Sequence, residues 1–339
     1  PVSMNGFLAN GKMSTTPKGF ASTMKISLLA AIIFFLSAAS AQTAPLAMRR
    51  LALEHGLSQS TVYAIAEDAS GRIWLGTGDG IDIYDGYEFL HLRNDPDDRN
   101  TLSSNYVKSL LVGRDGTIWI GTLGGGLNRY DVETRTFTIF PKGQNADSFI
   151  SNDIFCLYQA TDGSIWIGGD AGVSHYTPSN SSFTHYIHQE NAPSSLQKGS
   201  IRAITESRDG RMWFGSADNG LSSLAPASQT FHHYRHQPNR QTSLTSDAIT
   251  SLHQDRRGFL WIGTEYGALN KLDLETEKFF PYRLPTKTDD DLGENEVTAV
   301  FEDTHGGLWF GSRTTGLHRF DPIDETFRSY RNSPASQNS

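Results

Sequence analysis

The chain has 339 residues, of which 37% are hydrophobic and 19% are charged, a composition too apolar for a disordered chain. Its formal net charge of −8, without any run of Lys or Arg, argues against nucleic acid as a partner, because phosphate binding requires a basic surface. The single cysteine, Cys156, excludes an intrachain disulfide framework and any metal site built from several cysteines.

The first recognisable element is an export signal near the amino terminus. A lysine precedes the almost wholly apolar run Ile26–Leu36, and Ala39-Ser40-Ala41 has the small-x-small form of a cleavage site. The apolar run is shorter than the roughly 20 residues that a membrane span needs. We therefore predict a signal peptide over residues 24–41 and export to the periplasm, with an uncleaved signal anchor as the alternative. Residues 1–23 are interpreted as an unstructured leader or a mistranslated upstream segment.

One motif then recurs six times at a nearly constant spacing. The stretch GRIWLGT at Gly71–Thr77 is followed by GTIWIGT at Gly116–Thr122, and related copies continue to Gly306–Ser312. All six tryptophans of the chain lie in this motif, spaced 45, 47, 47, 48 and 48 residues apart: Trp74, Trp119, Trp166, Trp213, Trp261 and Trp309. A fixed period of this length indicates a repeat architecture.

Each repeat is predicted to hold four short strands. In the fifth repeat, β-type runs lie at Ile249–His253, Phe259–Gly263, Leu269–Leu272 and Lys278–Tyr282. No segment shows a sustained helical period. Because an antiparallel meander of about 45 residues is typical of a propeller blade, we predict an all-β fold, a β-propeller of four-stranded blades. The propeller is placed over residues 42–331, with blades at about 58–93, 103–142, 150–189, 198–236, 245–284 and 293–331.

Two positions of the motif are predicted to be structural. The tryptophans are expected to pack between blades rather than to form an aromatic cage for a sugar. The glycines two residues after them share that structural role: Gly76, Gly121, Gly168, Gly215, Gly263 and Gly311. Cys156 occupies a first-strand position at which the other repeats have Ala or Ser, so we interpret it as a small buried residue rather than a reactive thiol.

The linkers between blades also resemble one another. The last residues, 332–339, align with residues 94–101, which begin one of these linkers. We therefore expect an amino-terminal fragment of a longer protein, whose six repeats form part of a seven-bladed or tandem propeller. An open arc of six blades would leave unpaired sheet edges, which soluble proteins avoid.

The unit G-x-x-W-x-G-T-x-x-G, preceded by L-S-x-N-x-V, closely resembles the two-component regulator propeller repeat. Its clearest copies are Leu102–Leu127 and Leu244–Leu269. Members of this family occur in exported sensor domains of hybrid two-component histidine kinases and membrane diguanylate cyclases. The resemblance implies a ligand-sensing domain of an inner-membrane receptor, with a small molecule, in particular an oligosaccharide, as its ligand. It also implies that the full-length receptor forms a homodimer.

The residues that differ between repeats lie in the loop joining the second and third strands. In an up-and-down blade this loop emerges on the same face as the loop leading into the first strand. A repeated scaffold with varied tips distributes ligand contacts around a central funnel. We predict ligand contacts at six such tips, each of which has an exposed turn residue as the alternative interpretation: Asp79, Asp170, Asp218, Glu265, Tyr266 and Arg313.

No catalytic or metal-binding pattern stands out in the sequence. Neither a G-x-S-x-G nor an H-E-x-x-H motif occurs. His232-His233 with His236 is interpreted as a solvated strand end, and Asp289-Asp290-Asp291 as a charged linker, rather than as metal sites. We predict a ligand sensor without cofactor or catalytic residues; a secreted propeller lyase or glycosidase-like enzyme and a protein-docking scaffold are the alternatives.

Overall fold

A computed structural model describes residues 50–140, 142–143, 149–226, 228–266, 269–286 and 296–331. The predicted leader (1–23), the predicted signal peptide (24–41), the acidic run Asp289–Asp291 and the linker start (332–339) lie outside these residues. Within the described ranges, no helix is both long and apolar enough to span a membrane.

Six four-stranded sheets follow one another along the chain, each with its strands paired antiparallel in sequence order. They are blade 1, β1 (Val62–Glu67), β2 (Ile73–Thr77), β3 (Gly80–Tyr84) and β4 (Phe89–Leu92); blade 2, β5 (Val107–Val112), β6 (Ile118–Thr122), β7 (Leu127–Asp131) and β8 (Thr136–Phe140); blade 3, β9 (Ile154–Gln159), β10 (Ile165–Gly169), β11 (Gly172–Thr177) and β12 (Ser182–Tyr186); blade 4, β13 (Ile201–Glu206), β14 (Met212–Ser216), β15 (Leu221–Leu224) and β16 (Phe231–Tyr234); blade 5, β17 (Ile249–Gln254), β18 (Leu260–Thr264), β19 (Leu269–Asp273) and β20 (Lys278–Tyr282); and blade 6, β21 (Val297–Glu302), β22 (Leu308–Ser312), β23 (Gly316–Asp321) and β24 (Thr326–Tyr330). A 3-10 turn, Leu53–His55, precedes the first blade. The predicted all-β propeller is confirmed.

Consecutive blades meet where the glycine of the Trp-x-Gly motif lies against the first strand of the next blade. A Cβ atom at Gly76 would lie 2.8 Å from Val107 Cγ1, and one at Gly215 would lie 2.5 Å from Ile249 Cγ2. Three more interfaces repeat this contact: Gly121 with Ile154, Gly168 with Ile201, and Gly263 with Val297. At Gly76 and Gly215 the nearest atom belongs to the next blade, whereas at Gly121, Gly168 and Gly263 it belongs to the small first-strand residue of the same blade. A side chain at these positions would therefore displace neighbours on one or both sides.

The tryptophans lie on the same face of their strands as these glycines and fill the space between blades. Trp74 is buried against Val107 and Ile118 of blade 2, and its ring lies 5.6 Å from that of Tyr130. In four blades the indole N–H is satisfied by a side chain six residues earlier, at N···O distances of 2.7–2.9 Å: Asp68, Ser207, Asp255 and Asp303. These hydrogen bonds tie the second strand to the turn before it and satisfy the buried indole donors of these four blades.

The outward faces of the first and last blades are more exposed than the internal ones. First strands adjoin one another in the order β1, β5, β9, β13, β17 and β21. Ile65 of β1 is 69% exposed and Phe301 of β21 is 62% exposed. A seventh blade or a tandem propeller stays a prediction.

Each third strand carries a buried polar residue near its start, which hydrogen-bonds the segment before the blade, a nearby loop or the fourth strand. Asp82 accepts hydrogen bonds from Ser58 N and Ser58 Oγ, both at 2.8 Å, which fixes the segment leading into β1. The residues at this position are Asp82, Asn128, Ser174, Ser222, Asn270 and His318. His318 is fully buried, with Nε2 at 2.8 Å from Thr315 Oγ1 and Nδ1 at 2.9 Å from Ser329 Oγ.

Substituting the interface glycine tests whether it is needed for packing between blades or only for the conformation of its own strand. We expect Gly215→Ala to lower the free energy of unfolding by about 1–3 kcal/mol, because its methyl group overlaps Ile249. Gly311→Ala is the matched control, since a Cβ atom there meets nothing nearer than 3.4 Å. We expect its change to stay within about 0.5 kcal/mol in urea unfolding. Equal losses in the two variants would contradict this account of the glycine.

The stability of blade 6 should depend on pH through His318, because burial lowers the pKa of its imidazole to about 4. Between pH 6.5 and 4 the unfolded chain binds a proton at this residue and the folded chain does not, so stability falls as pH falls. Blades 2 and 5 have asparagine at this position. We expect His318→Asn to reduce the loss of unfolding free energy between pH 7 and pH 4 by about 3 kcal/mol. Urea unfolding of the wild type and of His318→Asn at pH 7 and pH 4 measures the loss of stability in each protein. Equal losses in the two proteins would contradict the assignment to His318.

Candidate functional site

All six first strands carry a β-bulge at their second residue. In blade 1, Val62 pairs with Thr77 and Ala64 pairs with Gly76, so that Tyr63 is the extra residue. The bulged residues are Tyr63, Lys108, Phe155, Arg202, Thr250 and Thr298. A bulge bends its strand and re-aims a side chain. The candidate site is built on these six residues, which we call the bulge ring.

The residues on either side of each bulge pack at the interfaces between blades. The preceding aliphatic residue packs on the glycine of the previous blade, as Val107 does on Gly76. The following small residue pairs with the glycine of its own blade, as Ser109 does with Gly121. Of the bulged side chains between them, two reach the following blade: Thr250 Oγ1 donates to the carbonyl oxygen of Val297, and Arg202 pairs with Glu265.

Aromatic side chains of blades 1 and 2 form a platform beside this ring. The rings of Tyr63 and Tyr106 are stacked with their centroids 5.1 Å apart, and their hydroxyl groups are hydrogen-bonded at 2.7 Å. The ammonium group of Lys108 lies 4.4 Å from the centroid of the Tyr63 ring, a cation–π contact. Tyr106 remains 38% exposed, so the platform is open to a ligand.

Charged residues of the later blades face the same region. Arg202 Nη1 lies 3.2 Å from Glu265 Oε2, which links blades 4 and 5, and Arg313 Nε lies 2.9 Å from Glu296 Oε2. Burial lowers the pKa of Lys108, and the positive charges of Arg202 and Arg313 lower it further, whereas Glu296 raises it. Arg202 of blade 4 and Arg313 of blade 6 therefore each lie within electrostatic reach of Lys108 of blade 2.

Three of the predicted tip residues lie around this charged region. Glu265 and Arg313 are bound in the two ion pairs just described, each at the end of a second strand. Tyr266, next to Glu265, is 64% exposed at its loop tip. Their part in ligand binding stays a prediction.

The other three predicted tip residues are engaged within their own blades. Asp79 forms an ion pair with Arg93 at 2.9 Å, and Asp218 accepts a hydrogen bond from Asn219 Nδ2 at 2.6 Å. Asp170 accepts a hydrogen bond from Ser151 Oγ. These partners hold the rim of the propeller, and ligand contacts at the three residues also stay a prediction.

The bulge ring itself was not predicted as a site. Its sequence signal is the residue between the repeated aliphatic position and the repeated small position, which alternates between aromatic and cationic in the first four copies and is threonine in the last two. In a regular strand the side chains alternate between two faces. A sequence pattern based on this alternation does not reveal a bulge, whose extra residue points away from both faces.

A cavity of about 360 Å³ lies at the other end of the first strands, where blades 3, 4 and 5 meet. Its lining residues are Tyr158, Thr205, Glu206, Arg208, His253, Gln254, Asp255 and Arg256. Arg208 N donates to Gln254 Oε1 at 2.8 Å, and Arg256 N donates to Glu302 Oε2 at 3.0 Å. Since these groups join each blade to the next, we assign this cavity to blade cohesion.

The histidine cluster and the cysteine have structural surroundings. His233 Nδ1 lies 3.0 Å from Ser222 Oγ, and His236 Nδ1 lies 2.6 Å from the carbonyl oxygen of Leu244. In the described part of the chain, no group of three or more His, Cys, Asp or Glu residues is placed to hold a metal ion. Burial raises the pKa of Cys156 to about 12, which keeps its thiol protonated at neutral pH.

Comparison with known proteins connects these repeats to signalling proteins. The family model described as two component regulator propeller matches residues 56–79, 101–124, 148–171, 195–218, 243–266 and 291–314. Over 80 residues, 23% of this chain, the sequence is 36% identical to "Histidine kinase P4" of Formosa agariphila, of which the match covers 6%.

Two solved structures share the fold. The extracellular domain of a protein described as a hybrid two component system, from B. thetaiotaomicron, matches with a TM-score of 0.72 at 24% identity, over 84% of this chain and 36% of that one. Virginiamycin B lyase from Staphylococcus aureus matches with a TM-score of 0.59 at 13% identity, over 79% of this chain and 83% of that one. The chain thus spans only part of both signalling relatives.

Proposed function

Because this chain is a two-component regulator propeller, built from six repeats of that family, we propose that it is the ligand-sensing domain of a transmembrane receptor. The receptor places the propeller in the periplasm, is anchored in the inner membrane and acts as a histidine kinase, with a diguanylate cyclase as the alternative output. The observation that carries the proposal is the bulge ring, in which chemically different side chains interrupt an otherwise uniform frame.

The geometry supports sensing because the ring draws its members from separate blades. A ligand that contacts Tyr63, Lys108 and Arg202 bridges blades 1, 2 and 4. Its binding free energy then depends on how those blades are spaced. A ligand shifts a conformational equilibrium only by its difference in affinity for the two states, and a bridging ligand has such a difference. Homodimerisation of the full receptor would carry the change to its output.

The proposed ligand is a saccharide. Tyr106, which is 38% exposed and is supported by stacking on Tyr63, offers an apolar ring surface to one face of a sugar ring. The charged and hydroxyl-bearing side chains of Arg202, Glu265 and Thr250 offer donors and acceptors to its hydroxyl groups. A few polar groups beside an aromatic surface are characteristic of small-molecule sites.

An enzymatic function is not part of the proposal. The likeness to virginiamycin B lyase, at 13% identity, supports the propeller fold alone. The titratable groups beside the platform are engaged in ion pairs or in a cation–π contact, which suits binding.

The platform is tested by removing its rings. We expect a saccharide identified by thermal-shift screening to bind about tenfold more weakly to Tyr63→Ala in isothermal titration calorimetry, because a stacking surface is lost. Tyr87→Ala is the matched control, since Tyr87 is 94% exposed at the outer turn of blade 1. Equal affinities for the wild type and Tyr63→Ala, or no saccharide that binds, would refute the proposal.

A further inference from the structure

At four interfaces, the turn between the first and second strands of a blade forms two hydrogen bonds with the next blade. In blade 2, Arg114 N donates to Gln159 Oε1 and Arg114 Nη1 donates to the carbonyl oxygen of Thr161, both at 3.0 Å. We call this pair of bonds the turn link. It recurs between blades 3 and 4, 4 and 5, and 5 and 6: Thr161 with Glu206, Arg208 with Gln254 and Arg256, and Arg256 with Glu302 and Thr304.

The interface between blades 1 and 2 has other residues at the positions of the turn link. Ala69 of blade 1 takes the place of Arg114, and Val112, the last residue of β5, takes the place of Gln159. The alanine side chain carries no donor and the valine side chain carries no acceptor. Neither side chain can therefore contribute to a turn link at this interface.

The backbone of the turn in blade 1 is nevertheless closed in the same way as in blade 2. Gly71 N donates to the carbonyl oxygen of Asp68 at 2.9 Å, and Gly116 N donates to that of Gly113 at 2.9 Å. The two interfaces thus differ in their side chains rather than in the form of the turn. Two substitutions should be enough to introduce the link between blades 1 and 2.

The other end of the same interface is held by hydrogen bonds and by stacked rings. Tyr63 and Tyr106 stack at 5.1 Å with their hydroxyl groups hydrogen-bonded at 2.7 Å, and Gly80 N donates to the carbonyl oxygen of Asn105 at 2.7 Å. Tyr63 is the second residue of β1 and Glu67 is the last, so about 13 Å of strand separates this contact from the turn. Blades 1 and 2 are therefore joined at one end of their first strands and lack the turn link at the other.

We propose that the interface between blades 1 and 2 is a hinge, which opens at the turn end while the contact between Tyr63 and Tyr106 acts as the pivot. Each blade of a repeat fold is held by its neighbours, and blade 1 has an uncovered face as well, where Ile65 is 69% exposed. Blade 1 is thus the least restrained of the six. The two rings belong to blades on opposite sides of the hinge, so movement there changes the distance between them. This motion requires no ligand and is independent of the proposed function.

Hydrogen exchange of the native full chain, followed by mass spectrometry, measures the opening of the hinge. Strands β2 and β22 are compared because each lies in an end blade, and of these two blades only blade 6 has a turn link to its neighbour. We expect amide groups of β2 to exchange about tenfold faster than those of β22, after correction for intrinsic rates, because fewer hydrogen bonds oppose the opening. Equal protection of the two strands would overturn the hinge.

Introducing the link into the first interface tests its cause. Ala69→Arg combined with Val112→Gln places the residues of Arg114 and Gln159 there, and we expect exchange in β2 to slow about tenfold while exchange in β22 is unchanged. Unchanged exchange in β2 of this folded variant would overturn the proposal.

The matched control removes the link from the next interface. Arg114→Ala combined with Gln159→Val should raise exchange in β6 about tenfold, because blades 1 and 2 then open together. Urea unfolding of each variant shows whether it is folded. If Ala69→Arg with Val112→Gln does not fold, the control decides, since unchanged exchange in β6 would show that the turn link does not hold blades together and would overturn the hinge.

Discussion

The fold depends on the close approach of one aliphatic side chain to one glycine, repeated at five blade interfaces. Ile249 reaches the backbone of Gly215 because no Cβ atom is present, and a Cβ atom there would lie 2.5 Å from Ile249 Cγ2. This contact fixes the distance between adjacent sheets, and the tryptophan two residues before each glycine fills the remaining gap. The 45–48 residue period of the sequence follows, since each blade must present the same surfaces to the next.

The same contact explains why the bulge ring is free to vary. In each first strand, the residue before the bulge is held by the previous blade and the residue after it lies beside the glycine of its own blade. The bulged residue takes part in neither of these two contacts, so its side chain can differ between blades while the aliphatic–glycine packing is kept. The bulged Thr250 instead donates a hydrogen bond to the carbonyl oxygen of Val297 in blade 6. Tyr63, Lys108 and Arg202 therefore provide an aromatic ring and two cations on one scaffold, which is how function is grafted on a repeat fold.

The sequence predicts the propeller well because the packing constraint acts on residue types that recur at fixed places. Loop position alone also points to Glu265 and Arg313, which lie in the charged region of the candidate site. Lys108 and Arg202 could not be found in this way, since a strand pattern assigns two faces and does not reveal a bulge. The ion pair between Arg202 and Glu265 joins residues 63 positions apart, so only the assembled blades bring them together.

The most direct test of this account compares thiol reactivity at two neighbouring positions, in a Cys156→Ala background that matches the alanine of blades 1, 4 and 6. Arg202→Cys places a thiol in the bulge ring, and Ala203→Cys places one at a position that is 6% exposed. We expect rapid reaction of Arg202→Cys with a thiol reagent in the folded protein, and reaction of Ala203→Cys only after unfolding. Rapid labelling of Ala203→Cys, or protection of Arg202→Cys, would contradict this placement of the two side chains.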